Sequence, residues 1–206
     1  MSLEEGPEAV ELRSVTDVRT LRALTHPVRI ALLEALSLGG AMTATEVGDR
    51  IGESPTTCSF HLRQLAKYGF VEEAGGGKGR ARPWRMTAIG MSIGSTPGDA
   101  ASEVAANALT RLVRERQLDR HRQWLETRRT YPERWQDAAQ NNEFVLYLTA
   151  AELAELNQEI SAMLLSRFRE RLDDPAQRPG ASLPVEMLVF SYPISVPAGD
   201  DGENER

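Results

Sequence analysis

The sequence predicts a mainly α-helical fold with a small β component, and three observations carry that prediction. Apolar residues recur at three- and four-residue steps through most of the chain. Two capping-box sequences, Thr43-Ala44-Thr45-Glu46 and Thr149-Ala150-Ala151-Glu152, announce helix starts. The runs that read as extended are short and bounded by glycine, proline or serine. A hydrophobic fraction of 41% and a charged fraction of 26% lie near globular averages, which excludes wholesale disorder. No apolar run approaches the roughly 18 residues a membrane helix needs. The opening MSLEEGPE is acidic, unlike the basic head of a signal peptide, so a cytoplasmic location without a membrane partner is expected. A single cysteine, Cys58, excludes an internal disulfide and any all-cysteine metal cage within one chain.

Taken in order, residues 1–13 read as an acidic arm. From Ser14 the pattern turns helical, with Val15, Val18, Leu21 and Leu24 at three-residue steps. Thr25-His26-Pro27 interrupts it, and Pro27 suits a first helical position because its missing N–H would have no partner there. A second helix runs from Pro27 to about Leu38, too densely apolar for a surface helix, and Gly39-Gly40 stops it. The first capping box opens a short helix carrying Val47 and Ile51, closed by Gly52; Ser54-Pro55 starts another through Tyr68, with Gly69 as its stop. Two short helices about a turn at Gly52-Glu53 are a helix-turn-helix arrangement. Phe70–Glu73, a glycine-rich basic tip and Pro83–Thr87 then read as a β-hairpin, a wing over residues 71–87.

Residues 88–99 read as a linker, and a long helix follows over 100–130, ending before Tyr131-Pro132. Glu143–Leu148 looks like a strand, the second capping box opens a helix to about Leu172, and a second strand is expected near Val185–Tyr192. The expected division is an arm at 1–13, a DNA-binding domain at 14–90, a dimerising helix at 100–130, a C-terminal β-α-β region at 131–198 for dimerisation or ligand sensing, and an acidic tail at 199–206.

The formal net charge of −6 argues against a nucleic-acid partner until it is resolved along the chain. Between Ser54 and Gly90 stand six basic residues and two acidic ones, so this stretch is +4 while the remainder is −10. Both lysines of the chain, Lys67 and Lys78, fall inside it. Phosphate attraction is local, so a concentrated basic segment matters more than the average.

On the helix at 55–68, Cys58, Leu62 and Leu65 share one face and seat it on the domain. Thr56, Thr57, Ser59, Phe60, Arg63 and Lys67 lie toward the other side. Short hydroxyls can approach phosphates or base edges, Phe60 can meet a thymine methyl, and Arg63 can read guanine or hold a phosphate. Lys78, Arg80, Arg82 and Arg85 crowd the wing, where backbone or minor-groove contact is the expected role. His61 reads as structural, Cys58 as a small core hydrophobe, and Trp84 as packing at the hairpin base. On the long helix, Val104, Ala108 and Leu112, with Ala105, Leu109 and Val113 beside them, form an alanine-rich seam fit for a partner helix. The competing reading is that the seam packs within its own subunit.

The order helix, helix, helix-turn-helix, basic hairpin is that of a winged helix-turn-helix. Pro27–Leu33, Thr45-Glu46-Val47, Ser59–Leu65 and Gly69-Phe70-Val71 resemble the ArsR/SmtB-type regulators over roughly residues 14–90. The resemblance implies a homodimeric repressor on double-stranded DNA, with the second helix of the motif in the major groove and the wing on the backbone. It also leaves room for an unidentified small-molecule effector. The metal-sensing branch places a Cys-x-Cys on the first helix of the motif. Thr43 and Thr45 stand at the matching positions and supply no soft thiolate, and Asp119-Arg120-His121 repeats half of a second site whose other half is missing. No metal, cofactor or catalytic residue is therefore expected. Gly90-Met91-Ser92-Ile93-Gly94 matches a hydrolase nucleophile elbow, but that motif demands a helix straight after, and Ser95-Thr96-Pro97-Gly98 follows. A winged-helix protein-interaction module without specific DNA binding is the rival reading.

Overall fold

The computed structural model describes residues 12–75 and 82–195. The expected arm over its first eleven residues, the wing tip with Lys78 and Arg80, and the acidic tail lie outside the described residues. The described chain is mainly helical with a small β content. It runs β1 (Arg13–Val15), α1 (Val18–Leu24), α2 (Pro27–Gly39), α3 (Ala44–Ile51), α4 (Pro55–Lys67), β2 (Val71–Glu73), β3 (Trp84–Met86), β4 (Met91–Ile93), α5 (Ala100–Thr127), α6 (Glu133–Ala138) and α7 (Ala150–Asp173).

Local chemistry sets most of these boundaries. Asp17 accepts from the Thr20 amide and starts α1. Pro27 stands in the first turn of α2, and the imidazole of His26 accepts from the Val28 amide. Both capping boxes form in full: Thr43 and Glu46 satisfy each other's backbone amides at the head of α3, as Thr149 and Glu152 do at α7. Gly52 ends α3 at φ +76°, a left-handed cap that a side chain would strain. Gly48, one turn earlier, lies where a Cβ would come within 2.7 Å of the Glu53 carbonyl oxygen, so the tight turn of the motif depends on it.

Two expectations change at the edges of the N-terminal unit. The helical spacing from Ser14 predicts a helix there, but residues 13–15 form a strand. The stretch at 88–99, expected as a linker, contributes β4, which pairs in parallel with β1 in the register Arg13↔Met91, Ser14↔Ser92, Val15↔Ile93. The reason is tertiary: Val15 is buried in the core, and Arg13 donates to the Tyr68 and Gly69 carbonyls while its guanidinium stacks 4.0 Å from the Phe70 ring. Ser92 thus sits mid-strand beside β1, with a loop before α5, and not on a strand-to-helix elbow. The hairpin forms as expected, antiparallel with Val71↔Met86, and gains a third contact in the two backbone hydrogen bonds between Trp84 and Met42.

The core of α1–α4 is closed by α5. Leu21, Leu24, Leu32, Leu36, Val47, Leu62, Leu65 and Leu109 are essentially inaccessible to solvent. At the head of α5, Asp99 caps the Ala101 amide, and the buried Ser102 hydroxyl accepts from Thr96 and donates back to the loop, locking the helix against the domain. Among the described residues none beyond Leu109 is buried.

The C-terminal third contains α7 where the sequence places a helix, and α6, which the sequence reading did not include. The two flanking runs expected as strands are straight: residues 139–149 and 182–193 contain neither turn nor bend. Neither holds a ladder with another described residue.

Candidate nucleic-acid interface

The second helix of the motif, α4, is amphipathic in the sense that positions a surface. Ser54 caps it by accepting from the Thr57 amide, and Pro55 occupies its first turn. Cys58, His61, Leu62 and Leu65 are buried against α2 and α3. The opposite side presents Thr56, Arg63, Lys67 and Phe60, the last more than half exposed at 54%. Phe60 packs T-shaped against the His61 ring, with centroids 5.1 Å apart, and leaves the rest of its phenyl open in a row of cations and hydroxyls. Thr57 and Ser59 are half-buried: the Thr57 hydroxyl shares a 2.8 Å hydrogen bond with Ser54, and Ser59 accepts from Arg63.

Arg63 does not reach outward in the free chain. Its guanidinium folds back along α4, donating to the Ser59 carbonyl at 3.1 Å and the Ser59 hydroxyl at 3.0 Å. The described wing cations are likewise engaged. Arg85 lies directly opposite Glu72 in the ladder and pairs with it at 2.7 Å, and Arg82 pairs with Glu73 at 2.7 Å. Exposed pairs of this kind contribute about 0–1 kcal/mol, so exchange of the carboxylate for a phosphate meets little resistance.

Behind the surface, Arg29, His26 and Arg13 add to the hold of Cys58, Leu62 and Leu65 on α4, and no motif in the sequence announces them. Arg29 donates to the His61 imidazole at 3.4 Å and also to the Ala23 carbonyl, tying α2 to α4 and to the end of α1. His26 stacks on the other side of His61, with ring centroids 4.4 Å apart. Burial, and then the neighbouring His26 and Arg29, hold His61 below the ordinary histidine pKa, so it is a neutral structural group. Burial pushes the Cys58 thiol up, with the Glu53 charge adding to it, which keeps it unreactive. At the far end, Arg13 and the Thr87 hydroxyl both donate to the Gly69 carbonyl, fastening the wing root to the close of α4.

The seam on α5 is divided between two directions. Ala105 and Leu109 face the protein's own core, Leu112 and Val113 pack partly against it, and α1 is the element they meet. Val104, 69% exposed, and Ala108 face solvent. Leu109 is thus not available to a partner, and the seam is not a single surface.

Thr43 is spent on capping α3, and Asp119 pairs with Arg122. Among the described residues no three His, Cys, Asp or Glu side chains lie together as a metal site, and no helix is long and apolar enough to cross a membrane. An open hollow of about 290 Å³ lies between the end of α5 and α6, bounded by His121, Trp124, Arg128 and Gln136.

Residues 24–74 match the family described as helix-turn-helix domain, about a quarter of the chain, spanning α2 through β2. No curated protein matches the chain. Among solved structures, it is similar to a MarR family transcription regulator at 17% identity, covering 76% of this chain and 82% of that one, with a TM-score of 0.30. It is also similar to ZitR, a zinc-responsive MarR family member of Lactococcus lactis, at 13% identity, covering 82% and 84%, with a TM-score of 0.27. Superpositions this loose carry no argument about arrangement or ligand.

Proposed function

We propose that this chain is a sequence-specific DNA-binding transcriptional regulator, a homodimeric repressor that lays α4 in the major groove and sets the wing against the backbone. The observation that carries the reading is the face of α4. A helix held rigidly from behind by Cys58, Leu62 and Leu65 offers Thr56, Phe60, Arg63 and Lys67 to solvent beside a basic hairpin. In this reading Arg63 swings from Ser59 to a guanine edge or a phosphate, and Arg82 and Arg85 leave their glutamates for phosphates. Lys78 and Arg80 add charge at the tip. A single winged helix covers a small surface, so two half-sites about one helical turn apart are expected.

The ion pairs Arg82–Glu73 and Arg85–Glu72 favour a second reading, in which the wing is neutralised and the domain binds a protein. Duplex binding followed against salt separates the two. Under the DNA reading, Arg63→Ala costs about 1–3 kcal/mol and relaxes preference at one base position. Arg82→Ala weakens all sequences alike and lowers the salt slope by about 0.9. Duplex affinity unchanged in both variants would remove the proposed docking and leave the protein-binding reading.

A further inference from the structure

The C-terminal third carries an apolar surface that the described chain leaves largely uncovered. Fifteen of the twenty-two exposed large hydrophobic side chains among the described residues lie between Phe144 and Ile194, a quarter of the chain. They are concentrated in the two straight runs: Tyr147 is 99% exposed, Phe144 76% and Val185 72%. A patch on a soluble monomer rarely exceeds about 300–600 Å². A folded monomer of this mass exposes about 9,600 Å², whereas this chain exposes 15924 Å². Granting fully open chain to every residue outside the described ranges still leaves an excess of roughly 2,800 Å². That is the size of surface each protomer hides in a large obligate interface.

The backbone is as unsatisfied as the side chains. Among the described residues, no backbone–backbone hydrogen bond reaches residues 140–148 or 183–194. Six residues at 143–148 and eight at 185–192 are ordinary strand lengths, rich in β-branched and aromatic side chains. Open edges in natural sheets are blunted by lysine or proline; between Pro184 and Pro193 the second run contains neither. It is nonetheless held in place. Glu186 pairs with Arg120 of α5, Phe190 lies 3.9 Å beneath the Arg114 guanidinium, and the Ser191 hydroxyl bonds Asn157 of α7. An extended run fixed along its faces and open along its edges is a template for a strand.

We propose that residues 143–148 and 185–192 pair with the same residues of a second copy of this chain, forming an intermolecular β-sheet backed by α7. This deepens the homodimer of the reading above and rests on that part of it. Charge speaks against nucleic acid or an anionic membrane as the occupant, because residues 131–195 carry ten acidic and five basic side chains, and self-pairing depends on the runs themselves. Within the two runs the charged residues are Glu143 and Glu186, and Arg120 already neutralises the second, so self-pairing meets little like-charge repulsion. The arrangement also connects the sheet to the DNA-binding unit, since Arg120 bonds both Glu186 and Glu34 of α2.

The test is made on the full chain without DNA, by sedimentation and by amide hydrogen exchange over a wide concentration range. The expected result is a dimer in which amides of 144–148 and 185–192 are protected, with protection lost on dilution as monomer appears. Leu146→Pro with Val189→Pro removes ladder donors and is expected to raise the dimer dissociation constant by on the order of 100-fold or more. The thermal transition of the α1–α5 unit should persist. Tyr147→Asp, a single change at a fully exposed side chain, gives a milder loss should the double variant not fold. A dimer whose 144–148 and 185–192 amides exchange freely overturns the proposal, as does protection that survives in the monomer, which would mean pairing within one chain. A chain monomeric throughout overturns it together with the dimer. An intact, protected dimer that ignores duplex DNA would strike the DNA reading alone.

Discussion

Residues 13–113 and residues 143–194 both draw on apolar runs at helical or extended spacing, and they end in opposite states. In the first, α1 through α4 and the front half of α5 bury Leu21, Leu32, Leu36, Leu62 and Leu109 to exclusion of solvent, and every polar side chain caught inside is answered. His61 has Arg29, and Ser102 has the loop before α5. In the second, α7 is capped as well as any described helix, yet none of the described residues around it is buried. The difference lies in what the elements find to pack on. Four helices and the front of a fifth close a core within one chain, whereas one helix and two extended runs do not. An apolar pattern states that a face will be covered and is silent about which chain covers it.

The largest effect that sharpens this contrast comes from two positions on α5. Leu109 is fully buried and Val104, five residues earlier, is 69% exposed. Leu109→Asp places a carboxylate in the core of the N-terminal unit and should cost about 4 kcal/mol or more, enough to unfold it. Val104→Asp should shift the stability of that unit by no more than about 0.5 kcal/mol. Urea unfolding followed by circular dichroism measures both. Equal costs would mean that α5 does not close the core in the way its burial indicates.

The legibility of the molecule from its sequence follows the same divide. The helix-turn-helix reads well because its signals are local: Ser54-Pro55, Gly52, and the box of Thr43 with Glu46 each act within four residues. The faces of α4 follow from a helical period, so the exposed row of Thr56, Phe60, Arg63 and Lys67 is legible in the sequence. Strand β1 could not. Its pairing with β4 spans almost eighty residues, and Val15 fits a helical period as well as a strand. Arg13 and Arg29, which brace α4 from behind, act through backbone carbonyls and a histidine distant in sequence, and no motif announces such contacts. The seam on α5 was legible as apolar, but the split that turns Ala105 and Leu109 inward and Val104 and Ala108 outward depends on where α1 lies.

An effect of intermediate size belongs to the contact joining the two regions. Glu34 of α2 accepts from Arg116 at 2.5 Å and from Arg120 at 2.7 Å, and Arg120 continues to Glu186. Burial is the largest single influence on Glu34 and raises its pKa, but the hydrogen bonds from the two arginines outweigh it, so the carboxyl ends below its ordinary value of 4.5. The contribution is therefore present above that value and is lost as pH falls through the lower, folded one. Glu34→Gln should destabilise the N-terminal unit by about 1–2 kcal/mol at neutral pH. Below the folded pKa of Glu34 the variant and the parent should converge. A variant as stable as the parent at pH 7 would show that the two regions are not coupled through this contact.

The smallest expected effect lies wholly inside the N-terminal unit and concerns His61. Its ring is buried between His26 and Phe60, accepts from Arg29, and has the carboxylate of Glu53 as the one group nearby that favours its charged form. Because burial and the adjacent His26 and Arg29 outweigh Glu53, the folded pKa lies below the ordinary 6.5. Above that value both folded and unfolded chains hold a neutral ring, and His61 contributes no pH dependence. As pH falls through 6.5 the unfolded chain takes up the proton first, so stability declines until the folded pKa is reached and then levels. Urea midpoints of the N-terminal unit at pH 8, 7, 6 and 5.5 should show this decline in the parent and a shallower one in His61→Gln. The same acidification should leave sedimentation of the proposed dimer unchanged over that interval, because the two runs at 143–148 and 185–192 contain no histidine. Parallel curves for parent and variant would mean that α4 is not seated on a neutral imidazole. Dissociation of the dimer before the N-terminal unit weakens would reverse the order of the two regions' sensitivity to acid.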